Sequence, residues 1–434
     1  MKKRKAKSVK LKKNKSAFFF AFSFLLLAFF ARDAFSQGSP YGLIGYGEPI
    51  VTTNPRIEGL AGSGTALLDP RNINDINPAS WSWLNRTRIE AGMRFSTTRS
   101  DLGADESLLH RTKLGGFAFG SPISEHYGLA IALGFNPLTY TDAETIHNDS
   151  LASTQYIREG GLSQIFVGAS IRPVGWLALG ARFDALFGNT RDLSKVTPTD
   201  ANAVVGEFER DYSTSGLRGT FGVVFALDSL VPSLGGVTIA GKLSTGATLN
   251  IIRRTFVTPT SRILDSTIED EGSALYPAAI ALGIASRLGD RYRIEADYFA
   301  QDYTGAKVYF GPTSSTTDSR LSSGTRFSLG FERLPLMGED AKGFSFWQRL
   351  GVRFGGSYGT LPYKPDGKTL VNETTLSFGF NVPINYESQL DFAITGGMRS
   401  PQTIGASPKD MFIRASGSIS ISEKWFTPLR RDED

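Results

Sequence analysis

The chain has 434 residues, 41% hydrophobic, 12% aromatic and 21% charged, with 47 glycines and no cysteine. A mean hydropathy of −0.13 excludes a bundle of membrane helices, since each span needs about 20 consecutive apolar residues and the longest such run, 17–30, is short and broken by Ser23. The missing cysteines exclude disulfides, thiolate metal sites and a cysteine nucleophile, while the formal charge of +5 means little until it is located along the chain.

It is concentrated at the start. Residues 1–36 hold ten Lys and Arg against Asp33 alone, a charge of +9, so the remainder carries −4 and offers no basic surface for nucleic acid. A basic stretch, a short apolar run and then Ala34-Phe35-Ser36 read as a secretory signal peptide over 1–36, with Gln37 as the first mature residue. Residues 37–85 follow, rich in Gly, Pro and Asn and without alternation.

From Arg86 onwards one theme repeats: ten to sixteen residues alternating apolar with small or polar, parted by turn-forming clusters. In 127–135, Tyr127, Leu129, Ile131, Leu133 and Phe135 share one face, and Gly128, Ala130, Ala132 and Gly134 share the other. In 88–96 the second face carries Arg88, Glu90 and Arg94, charges that must face water or a plug rather than lipid. Strands are predicted near 86–97, 112–121, 127–137, 155–171, 176–188, 212–227, 236–253, 274–288, 291–304, 321–333, 348–359, 371–383, 388–400 and 410–424. Their connections alternate between long polar ones (98–111, 138–154, 189–211, 254–273, 305–320, 360–370 and 401–409) and tight ones (121–126, 172–175, 289–290 and 384–387); 227–235 and 334–347 break the pattern mildly, the first moderate and the second long enough for a short helix or a periplasmic flap. Long and short loops at opposite ends define an all-β fold, a transmembrane up-and-down antiparallel barrel of about 14 strands with long outer loops. It spans 86–426, leaving a periplasmic tail over 427–434. The location that follows is the bacterial outer membrane, with its lipid as a partner.

Trp176, Trp347 and Trp425 fall at the periplasmic ends of predicted strands, where an aromatic girdle forms. Trp81 and Trp83 precede the barrel and suit a plug. The last strand closes on Trp425-Phe426, which resembles the terminal signal read by the outer-membrane barrel-assembly machinery.

A barrel of this size leaves a lumen that needs filling. The stretch 56–70 and the following Asn77-Pro78-Ala79-Ser80 resemble the hatch segment of the long-chain fatty acid transporter (FadL/TodX-like) family of outer-membrane barrels. Gly59, Gly62, Gly64, Ala66, Asp69, Asn77, Pro78 and Ala79 match that segment in type and order; over 86–426 the resemblance is architectural. It implies an N-terminal hatch over 37–85 and transport of a hydrophobic small molecule, such as a long-chain fatty acid, that leaves sideways through a wall opening at a kinked strand. Gly128, Gly134 and Pro137 mark one strand for such a kink, although glycines there would equally pack on the plug. Phe412 is a candidate lumen residue. The alternative is a non-transporting barrel that acts as scaffold or adaptor in an outer-membrane secretion or assembly complex. A general porin fits less well, because a hatch obstructs diffusion.

No enzyme is expected. His110 and His147 fall in outer loops and His126 in a periplasmic turn, so they do not converge on one rim. The acidic groups around Asp142, Glu144, Asn148 and Asp149, and around Asp265, Glu269, Asp270 and Glu271, lack a recognised ligand spacing, and neither metal nor cofactor is predicted.

Overall fold

The structure is a computed structural model that describes residues 39–423 except 102, 104–105, 201, 228–235, 260–267, 311–314, 337–342, 385–386 and 404–407. The expected leader, Trp425, Phe426 and the tail lie outside the described residues.

Fourteen antiparallel strands close into a barrel. The first three are Thr87–Asp101, Glu106–Ser124 and Leu129–Pro137, the third resuming as Ala143–Asn148. The fourth to sixth, Ala152–Val174, Leu177–Pro198 and Gly206–Ala226, are the longest. The seventh (Thr238–Ser244, Ala247–Pro259) and eighth (Ile268–Tyr276, Ala279–Leu288) are each interrupted once. The ninth is Tyr292–Asp302, continued by Lys307–Phe310, and the tenth runs through Ser315–Thr317 and Ser323–Arg333. Gly351–Thr360, Val371–Pro383, Gln389–Pro401 and Lys409–Glu423 complete the set, and the last pairs with the first from Thr87↔Glu423 to Asp101↔Lys409. Every predicted window overlaps one of these strands.

Alternation dictates the wall. Ile131 and Leu133 are more than 40% exposed on the outer face, whereas Ala130 and Ala132 between them are buried. Ile89, Leu282, Phe327, Leu376 and Ile421 continue the outward apolar belt around the barrel. A closed barrel satisfies its backbone groups between strands and so tolerates lipid around it, which makes this an outer-membrane barrel.

At the outer end the strands run further than the alternation indicates. His110 lies in the second strand, bonded through Nδ1 to Thr97 Oγ1 at 2.9 Å, and His147 pairs with Thr154 of the fourth; neither is in a loop as expected. Beyond the apolar belt both faces of a strand meet water, so the period of two fades while the backbone ladder persists. Cross-strand pairs such as Arg191–Glu209 at 2.7 Å support these extensions. At the opposite end the long tenth-to-eleventh connection does hold a short helix, Phe346–Arg349.

Residues 39–84 lie almost wholly buried against the inward faces of the strands. Where this segment's backbone meets the wall, the wall residue is often glycine. A Cβ on Gly355 would stand 2.4 Å from the Leu60 carbonyl carbon, whereas one on neighbouring Gly356 would meet nothing nearer than Leu376 at 3.5 Å. Gly355→Ala should therefore cost about 1–3 kcal/mol through overpacking and expose residues 56–64 to protease. Gly356→Ala should be silent; limited proteolysis of both folded variants checks the difference.

Candidate functional site

The buried N-terminal segment owes its shape to local caps. Asn54 Oδ1 accepts from Arg56 N at 2.9 Å and starts the helix Pro55–Gly59. Asn77 Oδ1 accepts from Ala79 N at 3.0 Å and starts the 3₁₀ turn Pro78–Trp83. The other end of the Asn77 amide donates to Thr65 O at 2.8 Å, joining the two halves of the segment.

The matched glycines lie where backbone touches wall. Gly59 packs on Gly379, and Gly62 has φ +87. Gly64 N and Thr65 N both donate to Asp297 Oδ2 at 2.8 Å. Asp69 accepts from Arg71 N at 2.9 Å and pairs with Arg56. Pro78 and Ala79 pack against Gly180. Trp81 stacks on Phe166 with ring centroids 6.0 Å apart, and Trp83 lies under Arg172. Of the other tryptophans, Trp176 stacks on Phe225 in the turn between the fourth and fifth strands, and Trp347 stands exposed in the short helix.

Two ion networks anchor the segment. In the first, Arg56 reaches Glu332 at 2.8 Å, Arg353 reaches the same carboxylate at 2.8 Å and Asp391 at 2.7 Å, and all four side chains are essentially inaccessible. In the second, Glu48 takes Arg399 at 2.9 Å and Arg111 at 3.2 Å. Burial alone would push the Glu48 carboxyl up, but the two guanidiniums outweigh it and hold the value at about 2. Because that lies below the ordinary 4.5, the stability Glu48 lends is complete above about pH 4.5 and is lost as pH falls towards about 2. Proteolysis of the N-terminal segment measured against pH should show that window, and Glu48→Gln should abolish it. Glu332→Gln removes the carboxylate that the buried Arg56 and Arg353 share, leaving them only Asp69 and Asp391, and should cost about 3–5 kcal/mol, read as a lower temperature for the unfolding gel shift.

Among the described residues, the backbone ladder of the wall is interrupted between the second and third strands. The third strand pairs with the second only from Phe117↔Phe135 to Ser124↔Leu129. Past Pro137 it turns away, and Thr139–Tyr140 pair instead with Glu48–Pro49 of the N-terminal segment. Contact with the fourth strand persists through Leu138 N to Leu162 O at 2.8 Å and Thr141 N to Gly160 O at 3.1 Å. Among the described residues, no backbone pairing joins the outer half of the second strand to this diverted stretch. Side chains bridge the separation: Lys113 Nζ lies 2.8 Å from Asp142, which Arg111 also contacts.

Asn136, Pro137 and Leu138 of the diverted stretch also line an interior cavity of about 150 Å³. Its apolar walls include Ile50, Val51, Tyr276, Phe299 and Tyr303. Lys242 Nζ lies 5.9 Å and Arg326 Cζ 5.5 Å from the centre of the Phe299 ring. Among the described residues neither cation has an ion-pair partner, whereas Arg218 beside them pairs with Asp184 at 3.0 Å. A hollow of about 350 Å³ shares Pro137 with this cavity and is lined by Lys113, Tyr140 and Phe187. Nearer the outer end lies a vestibule of about 880 Å³ lined by Tyr46, Tyr156, Arg158, Phe208 and Arg320.

Lys242 and Arg326 belong to no motif of the sequence. Each sits among the inward positions of its strand, between outward Ile239 and Leu243 or beside outward Phe327, so face assignment alone would have flagged them. The three histidines stay apart, and no group of three His, Asp or Glu among the described residues is placed to hold a metal ion.

This architecture is that of the FadL-like outer-membrane barrels. Similar solved structures include a Pseudomonas aeruginosa FadL homologue (TM-score 0.61, 12% identity, 86% of this chain and 98% of the other). The CymD monoaromatic hydrocarbon channel is similar at TM-score 0.59 and 14% identity, over 88% of this chain and all of that one. The Ralstonia pickettii toluene transporter TbuX follows at TM-score 0.58 and 13% identity, over 85% and 98%. No curated protein matches by sequence. The BamG family model matches residues 14–432, and the chain belongs to the BamG family.

Proposed function

We propose that this chain carries a hydrophobic compound across the outer membrane. The compound enters at the outer vestibule, occupies the interior cavity and leaves sideways between the second and third strands, while residues 39–84 act as the plug, or hatch, that closes the straight route to the periplasm. The observation that carries this reading is that Asn136–Leu138 line the cavity at the same point where the third strand leaves the second. The solved channels and transporters of hydrocarbons that share the fold support it. Trp176 and Trp347, at the same end of the barrel, serve as girdle anchors in the headgroup zone.

A cavity with apolar walls, in which Lys242 and Arg326 make no direct ion pair while Asp75, Asp297 and Glu373 share the lining, suits a ligand with a hydrocarbon chain and one anionic end for those two cations, such as a long-chain fatty acid. Folded barrel in mild detergent should retain a long-chain fatty acid in native mass spectrometry. Lys242→Met/Arg326→Met should weaken that binding at least about tenfold, the loss of one charge-assisted hydrogen bond. No saturable binding to the wild type would overturn the reading.

The match to the BamG family favours a second reading, a barrel subunit or adaptor of an outer-membrane complex that assembles other barrels. Affinity purification of the chain from outer membranes separates the two. A stoichiometric protein complex together with an empty cavity supports the subunit; a lone barrel with bound lipid supports the carrier.

A further inference from the structure

The outer vestibule and the interior cavity share no lining residue. Between them lies one apolar layer that includes Ile44, Leu162, Tyr276, Tyr303, Leu321 and Tyr363, with Tyr46 packed against it, while beside it the hollow that shares Pro137 with the cavity shares Gly161 and Thr214 with the vestibule. Tyr46 faces the vestibule, and Tyr276 and Tyr303 face the cavity. The three rings touch, with Tyr46 centred 5.4 Å from Tyr276 and 6.3 Å from Tyr303, and those two 6.1 Å from each other. Two of these rings belong to the wall, and Tyr46 alone of the three belongs to the N-terminal segment.

Tyr46 is the aromatic residue of the segment that stands between two glycines. Gly45 and Gly47 on either side both have left-handed φ, +55 and +87. No side chain fits at either: a Cβ at 45 would stand 2.7 Å from Leu321 and one at 47 would stand 2.4 Å from Tyr140 O. Beyond the two glycines the chain is fixed at both ends. Upstream, Ser39 Oγ donates to Asp410 at 2.6 Å and Tyr41 Oη to Pro408 O at 2.6 Å. Downstream, Glu48 is held by Arg111 and Arg399. Tyr46 thus sits on a short span between two anchors with a glycine at each side of it, and its one side-chain hydrogen bond, Oη to Leu275 O at 3.0 Å, is to the wall.

The geometry points to Tyr46 as the movable leaf of a gate between vestibule and cavity, turning on Gly45 and Gly47 against the fixed pair Tyr276 and Tyr303. The rest of the N-terminal segment stays docked when the leaf turns, because the ion networks that hold it lie outside the hinge. The gate's role in passage rests on the carrier reading; its existence does not.

The cysteine-free chain allows a direct test. Ala281→Cys places a thiol in the cavity lining and Ser194→Cys one in the vestibule lining. Each is installed with Tyr46, Tyr46→Phe or Tyr46→Ala, and the folded barrels are placed in lipid nanodiscs and treated with a charged methanethiosulfonate. The vestibule thiol should react at one rate in all three. The cavity thiol should react at least about tenfold faster with Tyr46→Ala than with Tyr46, and Tyr46→Phe, which keeps the ring and loses only the bond to Leu275, should fall between. Equal cavity rates across the three would overturn the gate; if Tyr46→Ala does not fold, equal rates for Tyr46 and Tyr46→Phe do so. Labelling needs no ligand, so the gate can fail while fatty acid binding stands, and can stand if no ligand binds.

Discussion

A closed barrel with charged inward faces has to find a counter-charge or a hydrogen bond for each of those side chains, and here most of the partners come from one segment. A buried ion whose partner is removed costs several kcal/mol, so the inward carboxylates and guanidiniums act as fixed sockets. Glu332 takes Arg56, Arg94 takes Glu58, Arg111 and Arg399 take Glu48, and Asp297 takes the backbone amides of Gly64 and Thr65. Residues 39–84 and the wall therefore complete each other, and neither presents a satisfied surface alone.

The same constraint shapes the path through the molecule. Glu48, held between two arginines, begins the two-residue strand that pairs with Thr139–Tyr140, so the anchoring of the segment and the departure of the third strand from the wall are one arrangement. Where the second strand loses its backbone partner, Lys113 and Arg111 reach Asp142 instead. Side chains can part and rejoin without breaking a ladder, which suits the proposed sideways route. Lys242 and Arg326 stand out against this background of matched charge: both line the cavity without a direct ion pair among the described residues, beside Asp75, Asp297 and Glu373.

Much of this was legible in the sequence, for a physical reason. Lipid on one side and packed protein on the other impose a strict period of two, so Tyr127 to Phe135 gave both the strand and its two faces, and alternating loop lengths gave the topology. Gly134 and Pro137 marked the strand that does leave the wall. The histidines went astray because strands that rise beyond the lipid have two wet faces and no period. The sockets were not legible at all. Arg56 and Glu332 are 276 positions apart, and Gly64 and Asp297 are 233 apart, and nothing local records which inward charge meets which part of the segment. Tyr46 was passed over because its meaning lies in two rings more than 200 residues downstream.

On the proposed route a hydrophobic molecule moves from the cavity to the membrane through the separation at the third strand. A photoreactive long-chain fatty acid, cross-linked to the barrel in lipid nanodiscs and mapped by peptide mass spectrometry, tests it most directly. The account predicts adducts, competed away by unlabelled fatty acid, on Ile50, Leu138 and Tyr276 in the cavity and on Pro137, Tyr140 and Lys113 at the opening. Adducts confined to the outward apolar belt and indifferent to competitor would contradict it.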